Sequence, residues 1–391
     1  MKHRFLAKRY WNTMTTPMGA VVDLAKQYSD VINLSLGDPD YVTNQEVIQR
    51  AFEDAENGHT HYTDSLGDEE LRHEIIKYYE EAYEYKVGSK EVMAVVGACH
   101  GMYLALEAIL DDGDEVIIPA PYFTPYIQQV ELVRGKPVIL DTYEEDGFQI
   151  DINRLKGLIN HRTKAIIINT PNNPTGACFS KETLEAVGKV AKEFDLLIIA
   201  DDIYDAFTFS DPFLPATTMK GMQERTITIG SFSKDYAMTG WRVGYVLAPD
   251  FIIQCMRDIN EGICFTVPSI SQRAAIYALR MRETIQPPMI AEYKKRMYYA
   301  YERINAIPNM SVLSPQGSFY LFVNIKKTGL NSVDFCKELL EEAHVLAIPG
   351  IAFGGCGEGY IRLACTVGVA ALKEAFDRIE KMKVCCAHNL Q

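Results

Sequence analysis

The sequence predicts an α/β protein, with a large, doubly wound, mostly parallel sheet domain joined to a smaller α+β domain. Three observations carry this. Short β-branched runs recur along the chain, among them EVII from Glu115, KAIIIN from Lys164 and LLIIA from Leu196. Continuous apolar runs of this length suit strands buried on both faces, as in a parallel sheet covered by helices. Helix-like segments separate them, as parallel strands require. Finally, 391 residues exceed what one core usually holds, so two packed lobes are expected.

In chain order, VINLSL (31–36) and VMAVV (92–96) open the series of strands. EVII, KPVIL from Lys136, KAIIIN, LLIIA, TITIG from Thr226 and VGYVLA from Val243 continue it. After Gly97, HGMYLALEAIL puts Met102, Leu106, Ile109 and Leu110 on one helical face. SKETLEAVGKVAKEF opens on Ser180 as an N-cap, with Glu182 in the first turn, where the helix dipole favours negative charge. Beyond about residue 290 the pattern changes: SFYLFVNI, VLAIPG and YIRLACT read as strands, and 332–343 and 368–382 as helices. The expected organisation is a segment 1–45 contributing to the small domain, a large domain 46–285, and a small C-terminal domain 286–391.

Composition excludes several classes. Hydrophobic residues at 48% and charged residues at 23% are ordinary for a globular protein. A net charge of −13 disfavours phosphate backbones and anionic lipid, so neither nucleic acid nor membrane is an expected partner. No stretch approaches the ~20 apolar residues of a membrane span, and the basic start MKHRFLAKRYWNTM lacks the apolar run of a secretory signal. The nine cysteines are odd in number and show no zinc-type spacing, which fits reduced thiols in a cytoplasm and no metal. Cys385, Cys386 and His388 read as a frayed polar tail rather than a metal site.

The chemistry concentrates in SFSKDYAMTGWRVGYVLA (Ser231 to Ala248), which leaves the carboxyl end of a buried strand, where open α/β sheets bind ligands. It offers one amine (Lys234), two hydroxyls (Ser231, Ser233) and one guanidinium (Arg242). That set suits an aldehyde cofactor bearing a phosphate, with the amine forming an imine and the rest holding phosphate oxygens. Taken alone it is equally a surface lysine beside a salt-bridging arginine. Its context favours the first reading. ADDIYDAF places Asp201 and Tyr204 directly after LLIIA. An aspartate there pairs with a protonated pyridine nitrogen and strengthens the ring as an electron sink, while Tyr204 donates to the ring's phenolic oxygen. Acidic residues after a strand are often only loop starters, the plain reading for Asp202. NTPNNPTG (Asn169 to Gly176) follows KAIIIN in the same manner, a rigid Pro/Gly turn from which Asn173 points at that oxygen. The amides of Ala98 and Cys99, opening a helix after Gly97, make an anion site.

These segments together resemble the class I/II, fold-type I aminotransferases dependent on pyridoxal 5'-phosphate (PLP), in the branch of bacterial aspartate-like and aromatic-like enzymes. The resemblance covers nearly the whole chain. It extends to LGDPD (Leu36 to Asp40), YTDSLGDEELR (Tyr62 to Arg72), VVGACHG, PAPYFTPY, PQGSFY (Pro315 to Tyr320), PGIAFG (Pro349 to Gly354) and YIRLA. It implies that Lys234 is the Schiff-base lysine and then the proton shuttle. Asp201 would pair with the pyridine nitrogen, Asn173 and Tyr204 with the phenolic oxygen, and Ser231, Ser233 and Arg242 with the phosphate. Phe123 would stack on the ring, Arg362 would grip the substrate carboxylate, and Gly37 would lie where backbone approaches substrate. Tyr62 would reach the phosphate of a neighbouring subunit, which implies a homodimer. The implied reaction is ping-pong transfer of an amino group from an L-amino acid (aromatic, aspartate or other) to a 2-oxo acid such as 2-oxoglutarate. A β-lyase cleaving C–S bonds on the same fold is the alternative.

Three departures from the family pattern stand out. Phe123 occupies a position where tryptophan is frequent, and Asp202 one where glutamate is usual. Cys99 stands where some aspartate-specific relatives carry a lysine, which argues against strict aspartate specificity. The segment RYWNTMTTPM is expected to cap the site and to lean towards aromatic or bulky substrates, with Arg9 or Trp11 facing solvent as the alternative. Other classes fit poorly. Ser231 to Lys234 is literally S-x-x-K and Lys327 to Gly329 K-T-G, but the helix and third element of a serine acylase do not follow. GGCG (Gly354 to Gly357) lacks the third glycine of a dinucleotide fingerprint, and the sequence before the aminotransferase-like part leaves no room for the DNA-binding domain of a PLP-sensing regulator.

Overall fold

The computed structural model describes residues 3–11 and 25–385. Its strands are β1 (Ile32–Asn33), β2 (Val92–Val95), β3 (Glu115–Ala120), β4 (Lys136–Asp141), β5 (Thr163–Asn169), β6 (Leu197–Asp201), β7 (Thr226–Ser231), β8 (Gly244–Leu247), β9 (Tyr320–Asn324), β10 (Val345–Leu346), β11 (Ile348–Pro349) and β12 (Tyr360–Ala364). The large sheet has the order β2-β8-β7-β6-β5-β3-β4. Its β4, β3, β5, β6 and β7 are mutually parallel, and β8 runs against both β7 and β2.

The apolar runs exist because both faces are covered. Ile118, Ile167, Ile199 and Ile229 turn to one side and pack with Met102, Leu106 and Met256. Ile117, Ile166, Ile168 and Ile198 turn to the other and meet Leu184, Val187 and Val190. Successive side chains point to opposite faces of a strand, so a strand sandwiched between helices cannot alternate with polar residues. Helices Ala98–Ile109 and Asp250–Glu261 lie on the first face and Lys181–Glu193 on the second. Ser180 caps the last of these by accepting from the Thr183 amide at 3.1 Å, as its position predicted.

The smaller sheet, β11-β12-β9, is antiparallel, and β1 pairs in parallel with β10. VINLSL therefore yields only two residues of strand, the length its short partner β10 allows. Leu321, Val323, Ile361 and Leu363 pack against Phe335 and Leu339 of Ser332–Ala343, Phe376 of Val369–Ile379, and Tyr293 and Met297 of the long helix Arg282–Ala306. Cys385 departs from the expected frayed tail. It is fully buried against Met310 at the end of the turn Lys383–Cys385, while Cys386 and His388 lie outside the described residues.

Residues 34–43 stitch the two sheets together. The Leu34 carbonyl accepts from the Ala364 amide at 2.7 Å, the Leu36 carbonyl from Thr366 Oγ1 at 2.9 Å, and Ala237 O from Thr43 Oγ1 at 2.7 Å. Asp40 pairs with Arg296 at 2.8 Å. Among the described residues no helix is long and apolar enough to cross a membrane.

Candidate active site

Strands β5, β6 and β7 end side by side, and each delivers a polar group to the same place. Asp201 is the last residue of β6, Ser231 the last of β7, and Asn173 follows β5 by four residues. Beside them, helix Ala98–Ile109 begins at Gly97, whose φ of 75° only glycine adopts freely. A Cβ on Gly97 would lie 2.7 Å from Arg242 Nη2, so the absent side chain keeps the guanidinium close to the helix start. The amides of Ala98 and Cys99 lie in the first turn, where a helix supplies no carbonyl for them.

A cavity of about 150 Å³ opens here, lined by Ala98, Cys99, Phe123, Asp201, Lys234 and Arg242 among others, with Ser231 and Ser233 in its wall. A larger hollow of about 610 Å³, bordered by Lys181, Phe213 and Gln316, contains none of these residues. Chemistry rather than volume therefore singles out the smaller one.

Lys234 Nζ donates to the Gly37 carbonyl at 2.6 Å. Burial pulls its pKa down to about 8, with Arg362 and Arg242 acting in the same direction and Asp38 opposing. Asp201 is fully enclosed. Burial raises its carboxyl to about 6, against the hydrogen bond from Tyr126 and the charge of Lys234. Its Oδ2 accepts from the Tyr126 hydroxyl, and its Oδ1 has no partner among the described residues. Asn169 Nδ2 donates to the Asp201 carbonyl at 2.9 Å, and Asn169 Oδ1 accepts from the Asn173 amide at 2.9 Å, which locks the ends of β5 and β6 together.

Arg362, in the middle of β12, enters from the small sheet. Its Nη1 donates to Asn173 Oδ1 at 2.9 Å and its Nη2 to the Ser35 carbonyl, while Nε has no partner among the described residues. Tyr320 and Phe353 lie 4.5 and 5.0 Å from the guanidinium, and burial lowers its pKa. Because Asn173 Oδ1 is engaged, its Nδ2 is the atom left to donate. The Tyr204 hydroxyl donates to Tyr320 Oη at 3.2 Å. A Cβ on Gly37 would come within 1.7 Å of that same Tyr320 oxygen, so this turn admits no side chain.

The structure thus brings together Gly37, Gly97, Ala98, Cys99, Phe123, Asn173, Asp201, Tyr204, Ser231, Ser233, Lys234, Arg242 and Arg362. It does not bring in Tyr62, which lines no part of the cavity of its own chain. That ring is 82% exposed and meets Phe265 edge-on at 5.1 Å. Most of the capping segment, residues 12–18, lies outside the described residues; Trp11 turns its indole N–H onto the carbonyls of His3 and Leu6. Sequence reasoning passed over Tyr126, Tyr320 and Asn169, although all three sit inside quoted motifs.

The sequence profile described as aminotransferase class I and II matches residues 29–379. The chain is 38% identical to an aspartate aminotransferase of Pyrococcus horikoshii, over 96% of this chain and 97% of that protein. It is 37% identical to aromatic-amino-acid aminotransferase 2 of Thermococcus litoralis, over 92% and 93% of the two chains. The crystal structure of an aspartate aminotransferase from Thermotoga maritima superposes with a TM-score of 0.90 at 33% identity, covering 96% of this chain and 99% of that one. Family profile, curated relatives and solved structures coincide over nearly the whole length, and the chain belongs to the class I and II aminotransferases.

Proposed function

We propose that the cavity binds PLP and that the enzyme moves the amino group of an L-amino acid to a 2-oxo acid, with 2-oxoglutarate as the usual acceptor. One juxtaposition carries this reading: a buried amine, Lys234, faces the same cavity as a buried carboxylate, Asp201, that keeps one oxygen free.

The residues fit the cofactor. Asp201 Oδ1 is a buried acceptor that wants a proton donor, which a pyridine nitrogen supplies. Ser231, Ser233, Arg242 and the amides of Ala98 and Cys99 would hold the phosphate, in the cradle that Gly97 leaves open. Phe123 would stack on the ring, and Asn173 Nδ2 and Tyr204 would meet the phenolic oxygen. Bound there, the cofactor supplies a carbonyl for the amine and a ring that withdraws electrons from the substrate's α-carbon.

The chain's own groups do the rest. Lys234 takes the proton from the α-carbon and returns it; an amine held near 8 is neutral often enough for that task, whereas an ordinary lysine is not. Arg362 binds the α-carboxylate with its planar fork, and Tyr320 and Phe353 fix the plane of that fork. The Gly37 carbonyl accepts from the lysine amine and holds it at the cavity. Relatives named for aspartate and for aromatic amino acids support both as donors. Cys99 in the cavity wall, where a distal carboxylate would want a cation, favours the aromatic class.

The reading includes a homodimer in the cytoplasm, in which exposed Tyr62 reaches the phosphate site of the other subunit. It also includes the division into 1–45, 46–285 and 286–391, with PLP on the large domain. The test is the absorbance spectrum of purified protein before and after a panel of amino acids is added without oxo acid. A visible band converting to the near-ultraviolet form is expected, fastest with aromatic donors. A band that regenerates while pyruvate or sulfide accumulates would mean a C–S lyase, and no visible band after PLP addition would end the cofactor assignment.

A further inference from the structure

Tyr126 is buried, 2% exposed, in helix Pro125–Leu132, three residues after Phe123, whose ring it meets edge-on at 5.5 Å. Its hydroxyl donates to Asp201 Oδ2. The result is an asymmetric carboxylate: one oxygen has a neutral donor, and the other has none among the described residues. Asp201's backbone is already fixed by Asn169, so the hydroxyl is not needed to hold the strand end in place. We propose that Tyr126 is a positioning residue for Asp201, keeping the carboxylate ionised and aiming Oδ1 at the ring nitrogen of the cofactor. This rests on the PLP reading above.

The physical need is plain. A carboxylate taken out of water reverts to the acid unless something favours its charge, and an acid at Asp201 would offer the ring nitrogen no counter-charge. The titratable groups that face Asp201 are Tyr126, Tyr204, Cys99, Asp202 and Lys234. Asp202 and any thiolate or phenolate among them oppose the charge. Lys234 is the one cation in that set, and its charge is spent when the amine reacts. The Tyr126 hydroxyl is then the donor that remains.

The experiment compares two probes titrated into apoprotein by equilibrium dialysis: PLP, and the analogue with C–H in place of the ring nitrogen. Wild-type protein should prefer PLP by about tenfold or more, the worth of one hydrogen bond to a charged group. Tyr126→Phe, checked for folding by its melting temperature, should bring that preference to within about twofold, because the loss falls on PLP alone. 3-Fluorotyrosine at position 126 keeps the ring and strengthens the donor, and should raise the preference. If Tyr126→Phe weakens both probes equally, the hydroxyl only packs and the inference fails, as it does if the preference is unchanged. Should wild-type protein bind both probes alike, the pairing of Asp201 with the ring nitrogen fails with it. Should wild-type protein bind neither, the PLP reading itself is wrong.

Discussion

Two cations, Lys234 and Arg362, sit where charge is costly, and each invites a measurement. Burial holds the Lys234 amine near 8, so it is neutral above that pH and an ammonium below it. Only the neutral amine attacks a carbonyl. The rate at which apoprotein captures PLP, followed by stopped-flow absorbance, should therefore fall about tenfold per pH unit below about 8 and level off above it. An unperturbed lysine would keep gaining rate to above 10. Arg362→Ala removes a charge-assisted partner of the substrate carboxylate and should raise KM about ten- to a hundredfold with a smaller change in kcat. An unchanged KM would reassign the residue. Lys234 and Asp201 were legible because their motifs lie at or just after the ends of buried strands, and Arg362 because YIRLA resembles the family pattern. Tyr126 and Tyr320 were not, because their partners lie 75 and 116 residues away and a lone hydroxyl in FTPY or GSFY carries no local sign of them.

At the scale of elements, the turn between β7 and β8 carries the lysine, and its hinge is tightly built. Gly244 pairs with Ser231 across the antiparallel pair, and a Cβ on Gly244 would lie 2.7 Å from the Gly230 carbonyl and 3.3 Å from the Ala98 amide. Gly244→Ala should destabilise the fold by about 1–3 kcal/mol, the range for overpacking a closed site, with a matching loss of cofactor affinity. Urea unfolding and a PLP titration read the two effects separately. Each described strand overlaps an apolar run of the sequence, since burial on both faces leaves little room for polar residues. The helices were harder to read. Glu69–Tyr83 buries Glu74 against Arg280 at 2.7 Å, a charge that reads as surface until its partner is seen. Arg282–Ala306 continues through Pro287 and Pro288, residues that ordinarily interrupt a helix.

For the whole molecule, Tyr62 and Phe265 form an exposed aromatic pair on which the proposed dimer is tested. Sedimentation should give about twice 44.1 kDa, and Tyr62→Ala should keep that mass while losing PLP faster on dialysis. A monomer that retains its cofactor would remove Tyr62 from the phosphate site. The two-lobed plan was visible in the sequence as a change of pattern near residue 290. How the lobes share one site was not, because that depends on residues 34–43, which join sheets built from distant parts of the chain.

That seam has a consequence for how the protein is made. Ser35 meets Arg362, and Leu36 meets Thr366, at sequence separations of 327 and 330. During synthesis at ~5–20 residues per second, on the order of 20 to 60 seconds separate the emergence of the two halves of each contact. A nascent chain can complete the large sheet and display its lysine well before the arginine has left the ribosome. The seam between the lobes therefore forms late, and Lys234 and Arg362 come together only after more than a hundred further residues have followed the lysine.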